Sequence, residues 1–408
     1  MRRKVLFVIP TLDRCGAEKQ MTMLATGLPR DCFDVRVAVL TRLGPYSQTL
    51  ADADVPVTLI GKKLKASPCA YFKLKKLIRE FQPDVVHTWL FAANSYGRKA
   101  AFACGSPVVV CGERCVDPWK GALHDFVDRR LAAKTDAYAV NSSGIVDFYT
   151  KRGLPAEKFA VIPNAVESRE AIAREERAKL KRAILAELGL PRERGYESQK
   201  NKLFRQMAIS DRSLDEGEPF LIGLVARLWP QKRVRDAVWI ADQLKFALLN
   251  FYLVIIGDGP ERDALLRYRD DLQIRDRVIF LGERTDVARF MPAFDLLWNC
   301  SEYEGQSNSI LEALSFGVPV MATDIPGNRD MVIPGETGVL ISDYDGDESR
   351  RRTAFSRETL RIFSPENETT RLQIQERART FAQREFSYEK MIARHVDLYE
   401  RLLKEKKS

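Results

Sequence analysis

The chain has 408 residues, of which 45% are apolar and 30% charged, and its formal net charge is +9. That length exceeds one ordinary hydrophobic core, so two domains of a soluble globular protein are expected. The longest apolar runs, such as FYLVII at 251–256, fall far short of the roughly eighteen residues that a membrane-crossing helix requires.

The chain opens with MRRKVLFVIPTLDR, basic and then apolar in the manner of a secretion signal. The apolar part is short and meets Thr11 and Asp13 at once, which predicts a first β-strand at 4–9 instead. Further strands are predicted at 34–40, 57–60, 84–88, 108–111, 137–141 and 160–163, mostly separated by helical patterns. This alternation predicts a parallel, doubly wound sheet. Within it, the stretch from Lys62 to Glu80 holds seven basic residues and one acidic. A solvated helix face explains such a run. Contact with an anionic membrane surface is the sharper alternative, with Leu64, Tyr71, Phe72, Leu74, Leu77 and Ile78 as its apolar side. No nucleic-acid-binding module is recognisable, so nucleic acid is not an expected partner.

The segment from Ser168 to Glu218 is highly charged and lacks a strand pattern. It reads as a helix near 170–188 followed by an exposed insertion containing PRERGYESQKNK. Strands resume at 220–227, 251–257, 278–282, 296–301, 319–323 and 338–342, which predicts a second doubly wound domain. A helix from about 387, apolar on one face, closes the chain.

The seven cysteines are odd in number and scattered, which argues for a reducing compartment. The close pair Cys111 and Cys115 lacks a second pair or a histidine at ligand spacing, so apolar packing explains it better than a metal. DYDGDESRRR at 343–352 mimics the start of a calcium loop, but its glycine is misplaced and no glutamate closes it.

The stretch SEYEGQSNSILEALSFGVPV at 301–320 carries the chemistry. Ile310, Leu311, Ala313, Leu314 and Phe316 recur at helical spacing, and Gly317 predicts the helix end. The polar turn before them follows a predicted strand and opens this helix. Such a turn presents free backbone N–H groups at the positive end of the helix dipole, an anion site. Gly305 permits close approach of the backbone. Ser301-x-x-Glu304 and Ser309-x-x-Glu312 also fit capping boxes. On a continuous helix Glu304 and Glu312 would stand about 12 Å apart, a span that suits hydroxyls at the two ends of a nucleotide diphosphate sugar.

Glu304 and Glu312 form an E-x7-E spacing inside EYEGQSNSILEALSFGVPVMATDIPGNRDMV. This resembles the signature of retaining glycosyltransferases of family 4, which have the α/β fold called GT-B, two facing Rossmann-like domains. The resemblance implies that Glu304 reaches the donor sugar and Glu312 the ribose, with Gly305, Gln306 and Ser307 assisting. LVARLWPQKR at 224–233 is similar to the family's phosphate-binding segment. Arg227 and Lys232 would there hold the diphosphate and stabilise it as it leaves. TLDRCGAEK at 11–19 is similar to the loop after the first strand, where Gly16 would approach phosphate and Cys15 replaces a second glycine. VIPNAV at 161–166 resembles the crossover between domains. In IIGDGPER at 255–262, Arg262 stands where a dinucleotide fingerprint needs its third glycine, which counts against a dehydrogenase.

PDVVHTWLFAANSYGRKAA at 83–101 places His87 and Asn94 on family-like positions, a satisfied core histidine being the other reading of His87. CGERCVDPWK at 111–120 lacks the histidine that many relatives carry there. Glu113, Arg114 and Asp117 are the polar candidates on this acceptor or sugar side, with His124 just beyond.

The implied activity is retaining transfer of a hexose from a nucleotide diphosphate sugar to a glycan or lipid-linked acceptor, in polysaccharide or glycolipid synthesis. The implied location is cytoplasmic, with peripheral contact to the membrane. Residues 1–166 would form the acceptor domain, completed by the returning helix 386–408, with 167–218 a charged linker and 219–385 the donor domain. No cofactor or metal is expected, since Arg227, Lys232 and a helix N-terminus can take the phosphate charge. A nucleotide-sugar epimerase of the same fold and a non-catalytic sugar-nucleotide binder are the alternatives. The epimerase would need acid–base groups around the sugar, and the chain has only three histidines.

Overall fold

The computed structural model of the chain describes residues 2–64, 67–191, 218–248 and 250–407. Apart from Pro191, the expected insertion PRERGYESQKNK lies outside the described residues. The chain divides into two compact units, one formed by Met1–Ala165 with Phe386–Ser408, the other by Val166–Glu385.

In the first unit strands and helices alternate: β1 (Arg3–Thr11), α1 (Gly16–Gly27), β2 (Phe33–Arg42), α2 (Tyr46–Asp52), β3 (Val57–Leu59), α3 (Pro68–Phe81) and β4 (Val85–Trp89). They continue as α4 (Leu90–Cys104), β5 (Val108–Glu113), α5 (Ala122–Ala132), β6 (Ala137–Val140), α6 (Ser143–Thr150) and β7 (Phe159–Val161). The second unit runs α7 (Arg174–Glu187), β8 (Phe220–Val225), α8 (Val234–Leu244), β9 (Phe251–Ile256), α9 (Arg262–Asp271), β10 (Val278–Gly282), α10 (Val287–Phe290) and β11 (Leu296–Asn299). It continues as α11 (Asn308–Ser315), β12 (Val320–Thr323), α12 (Pro326–Arg329), β13 (Gly338–Ile341), α13 (Glu348–Phe363) and α14 (Glu368–Glu385), and α15 (Tyr388–Glu405) follows in the first unit.

Both sheets are parallel, in the orders β3-β2-β1-β4-β5-β6-β7 and β10-β9-β8-β11-β12-β13. Helices cover both faces of the first sheet, which is why its central strand reads as an unbroken apolar run. Val5, Phe7 and Ile9 pack with Met21 and Leu24 of α1 and with Leu398 and Tyr399 of α15. Leu6 and Val8 turn the other way, toward Leu74 and Ile78 of α3 and Ala93 and Ala100 of α4.

That packing corrects the expected membrane side of 62–79. Leu74 and Ile78 are core residues, and Tyr71 and Leu77 lean on the same cluster. Only Leu64, 70% exposed, and Phe72, 64% exposed, remain available at the surface. The helix spends its apolar stripe on its own sheet and turns Lys73, Lys76 and Arg79 to solvent.

The order of each sheet sets where a ligand lies. The first strand of each unit, β1 or β8, sits inside its sheet, and the winding reverses between β1 and β4 and between β8 and β11. The carboxyl ends of strands at such a reversal leave a crevice between diverging loops.

Candidate active site

In the second unit, the loops after β8 and β11 leave neighbouring strands at the reversal point. After β8 the chain passes Arg227 and Trp229 and makes one 3-10 turn, Pro230–Lys232. This loop lies against the turn that follows β9. Leu228 N–H donates to Asp258 O at 2.8 Å, and Glu261 N–H donates to Leu228 O at 3.1 Å. Gly257 makes the contact feasible, because its φ is +141° and an added Cβ would stand 1.9 Å from Ala226 O.

After β11 an irregular turn leads to α11, whose N-cap is Ser307. The helix starts at Asn308, so the span from Glu304 to Glu312 is not continuous helix. The expected capping boxes are corrected accordingly. Ser307 holds the cap position with no side-chain bond to the backbone; its Oγ accepts from Asn299 Nδ2 at 3.2 Å and meets Ser309 Oγ at 3.0 Å. Ser301 instead donates through Oγ to Glu304 Oε1 at 2.8 Å. The helix ends as expected, with Gly317 in the left-handed region at φ +65°.

The two loops meet. Lys232 Nζ pairs with the same oxygen, Oε1, of buried Glu304. Gln231 Nε2 donates to Tyr303 O at 2.8 Å, and Glu302 N–H donates to Gln231 O at 2.9 Å. From behind, Gly327 of α12 closes on the turn so tightly that a Cβ there would stand 1.9 Å from Gly305 O. Thr323 Oγ1 donates to Ser301 O at 2.5 Å, and Asn328 Nδ2 to Thr323 O at 2.9 Å. Glu304 is therefore fixed by an ammonium and a hydroxyl before any ligand arrives. Arg227 is exposed, its guanidinium 5.8 Å from the Trp229 ring, and no carboxylate among the described residues pairs with it.

The second unit thus gathers Arg227, Lys232, Glu304, Gly305, Gln306, Ser307 and Glu312 on two adjoining loops and one helix. Gln306 and Ser307 are buried, and Glu312 is half-buried on α11. Ser301, Gln231 and Gly327 complete this construction and were not anticipated. The i,i+3 spacing of Ser301 and Glu304 was visible, but it suggested a helix cap where the structure makes a side-chain bond.

The remaining candidates belong to the first unit. Gly16 is the first residue of α1, and Cys15 is its N-cap in extended conformation. Asn94 is internal: its Nδ2 donates to Gly112 O at 3.0 Å and its Oδ1 accepts from Thr88 Oγ1 at 2.7 Å. His87 has no exposed surface, and its Nδ1 lies 2.7 Å from Tyr399 Oη. Burial, His395 and Arg114 hold its imidazole well below the usual histidine range.

Glu113 and Arg114 have separate surroundings. Strand β5 runs on to Glu113, so neighbours alternate between faces. Glu113 joins a buried ionic cluster. Lys120 Nζ lies 3.6 Å from Glu113 Oε1, 3.3 Å from Asp117 Oδ2 and 3.3 Å from Asp128 Oδ2, and it donates to Tyr149 Oη at 2.8 Å. Asp128 also takes Arg98 at 2.7 Å. Burial raises the Glu113 carboxyl despite Lys120. Arg114 goes to the opposite side and stacks over Trp89, 3.8 Å from the ring centroid. His124 accepts from Gly121 N–H at 3.3 Å and meets Phe91 and Trp119 edge-on.

Residues 15–165 match the family described as "Glycosyl transferase 4-like domain", and residues 219–353 match "Glycosyl transferases group 1". The chain is a glycosyltransferase. The Escherichia coli UDP-Gal:alpha-D-GlcNAc-diphosphoundecaprenol alpha-1,3-galactosyltransferase is 27% identical to it over 337 residues, covering 78% of this chain and 79% of that one. A GDP-mannose-dependent alpha-mannosyltransferase of Mycolicibacterium smegmatis is 34% identical over 289 residues, covering 66% of this chain and 63% of that one. Among solved structures, Anabaena HepE in complex with UDP and glucose shares the fold at a TM-score of 0.75 and 20% identity, over 98% of this chain and 100% of that one. The fold of this glycosyltransferase is accordingly GT-B.

Proposed function

We propose that the glycosyltransferase is a retaining enzyme of family 4 that moves a hexose from a nucleotide diphosphate sugar to a glycan or lipid-linked acceptor. The ion pair between Lys232 and Glu304, set at the reversal point of the second sheet, carries this reading. Glu304 orients the donor sugar, and Lys232 and Arg227 hold the diphosphate. Backbone N–H groups from Gly305 to Ser307, at the positive end of α11, share that charge. Glu312 takes the ribose hydroxyls, and Gly16, the first residue of α1, is a point where backbone can come close to phosphate. The acceptor oxygen forms the new bond to the anomeric carbon as the bond to the diphosphate breaks. The acceptor proton passes to the leaving phosphate oxygen on the same face, which gives retention.

The donors named for the two relatives, UDP-galactose and GDP-mannose, support a nucleoside diphosphate sugar. The diphosphoundecaprenol named for the first supports a lipid-linked acceptor. Arg227, Lys232 and α11 supply the positive charge the reaction needs, so the mechanism invokes no metal or cofactor. Peripheral contact with the cytoplasmic membrane face would use exposed Leu64, Phe72, Trp119, Leu123 and Phe126 together with neighbouring lysines and arginines. No helix among the described residues is long and apolar enough to cross a membrane.

A thermal-shift series with UDP, GDP, ADP and their hexose conjugates tests the donor reading. One nucleotide should raise the melting temperature of the native chain, and Glu312→Ala should diminish the rise. Absence of any shift overturns it. Liposome co-sedimentation at low and high salt tests the membrane contact.

A further inference from the structure

Among the described residues of the first unit, six buried nitrogens lack a hydrogen-bond partner: Arg36 Nε, which stands apart, and His87 Nε2, Trp89 Nε1, Arg114 Nε and Nη2, and His395 Nε2. The last five belong to one cluster. The Arg114 guanidinium lies 3.8 Å from the Trp89 ring centroid, and the His87 ring lies 5.2 Å from Trp89 and 5.8 Å from His395. Three elements supply it: β4, the end of β5, and α15.

The protonation of most of these groups is fixed by their partners. Indole and guanidinium N–H groups only donate. His395 Nδ1 is 2.8 Å from Met391 O, a pure acceptor, so Nδ1 carries that proton and the bare Nε2 can only accept, which makes His395 a neighbour of the donors and not one of them. When Tyr399 donates to His87 Nδ1, His87 Nε2 carries a proton as well. The cluster thus offers at least three donors and a positive charge. Burial pushes the Arg114 guanidinium down to about 9, which leaves it charged at neutral pH. Among the described residues no carboxylate pairs with it. Arg98, the other arginine buried in this unit, does have its carboxylate, Asp128. A buried cation with unfilled donors is costly unless something answers it.

We propose that His87, Trp89 and Arg114 form an anion site at the carboxyl ends of β4 and β5, and that it receives an oxygen of a phosphate-type group. Arg114, 7% exposed, is its outlet to solvent, since His87, Trp89 and His395 have no exposed surface. Its place at the strand ends is where ligands of such a sheet lie. The ligand is a free phosphate or the diphosphate of a lipid-linked acceptor. The second source rests on the proposal that the first unit takes the acceptor.

The test is calorimetric titration of the full chain with inorganic pyrophosphate and with geranyl diphosphate. A Lys232→Ala background removes the contribution of the second unit. Saturable binding is expected there, weakened at least tenfold by adding Arg114→Met and several-fold by adding Trp89→Phe, which keeps the ring and removes one donor. Tighter binding of geranyl diphosphate than of pyrophosphate assigns the site to a lipid-linked ligand; equal binding assigns it to free phosphate. No saturable binding, or binding indifferent to both substitutions, overturns the proposal and leaves buried water as the partner of these nitrogens. UDP binding by the unmodified chain, lost in Lys232→Ala, reports on the donor site separately.

Discussion

Lys232 and Glu304 are 72 positions apart in the chain, yet their side chains form an ion pair at the ends of neighbouring strands. Removing either partner leaves the other largely buried and unanswered. Lys232→Ala and Glu304→Gln should each lower kcat by about 100- to 1,000-fold, the scale of losing one group that stabilises developing charge. The double variant should be little worse than either single one, because the two act as a unit. Steady-state transfer kinetics decide this; additive losses would show that the pair has no joint role.

Glu312 sits on α11, beyond the turn from Glu304 to Ser307. If it bonds the ribose, Glu312→Ala should weaken nucleotide binding by about 10-fold, the scale of one hydrogen bond to a charged acceptor. Calorimetric titration with a nucleotide and its 2′-deoxy analogue gives the sharper comparison. The native chain should prefer the ribose form, and the variant should lose that preference. An unchanged preference removes Glu312 from the ribose.

Gly327 touches the back of the turn that holds Glu304 and Gly305. In Gly327→Ala the new Cβ would stand 1.9 Å from Gly305 O, a backbone atom that must move. Overpacking of this kind costs about 1–3 kcal/mol. Activity should fall further than stability, since the displaced segment is the one that holds Glu304. Paired measurement of kcat/KM and of urea unfolding shows whether that ordering holds.

Asp128 answers two buried cations, Arg98 and Lys120. Asp128→Ala should destabilise the first unit by about 3–5 kcal/mol, as expected when one member of a buried ion pair is removed. Adding Arg98→Met should restore part of the loss. Denaturant unfolding of the single and double variants checks both statements, and a double variant weaker than the single one contradicts the second.

His395 and His87 link stability to pH. Burial first, and then Arg114, lowers the His395 imidazole from 6.5 to about 3. Burial, His395 and Arg114 lower His87 in the same direction. A group with a depressed native pKa takes up its proton more readily when unfolded. Its contribution is complete above pH 6.5 and declines as pH falls toward 3. The His395 imidazole should remove about 1.4 kcal/mol of stability per pH unit within that window, and His87 acts in the same direction. Urea unfolding between pH 7 and 5 should therefore be less pH-dependent in His395→Asn, and equal slopes would falsify the assignment.

Much of the fold was legible because parallel strands buried on both faces spell themselves as apolar runs. The thirteen strands of the two sheets coincide with the runs read from the sequence, differing at their ends by one or two residues. Those ends mattered. Extending β5 from Cys111 to Glu113 decides that Glu113 and Arg114 face opposite ways, a consequence of the two-residue period. The residues that the second unit brings together, from Arg227 to Glu312, were legible because they lie within two short segments. The Arg114 cluster was not, because His395 and Tyr399 come from a helix distant in the chain, and local spacing records nothing about such neighbours. Leu74 and Ile78 were read onto an outer side of 62–79 for a related reason: an amphipathic helix looks the same whether its stripe meets a lipid or its own sheet.

The first unit is assembled from both ends of the chain. Met391, Ile392, Leu398 and Tyr399 of α15 pack over the sheet face that bears Val5, Phe7 and Val110. On the ribosome, β1 to β7 emerge first, the whole second unit follows, and only then does this helix appear. During synthesis the early sheet must wait with one greasy side covered only in part, by α1. A nascent chain that stalls before Phe386 therefore offers chaperones, or other stalled copies, a ready-made adhesive surface, and release of the last helix is the step that closes it.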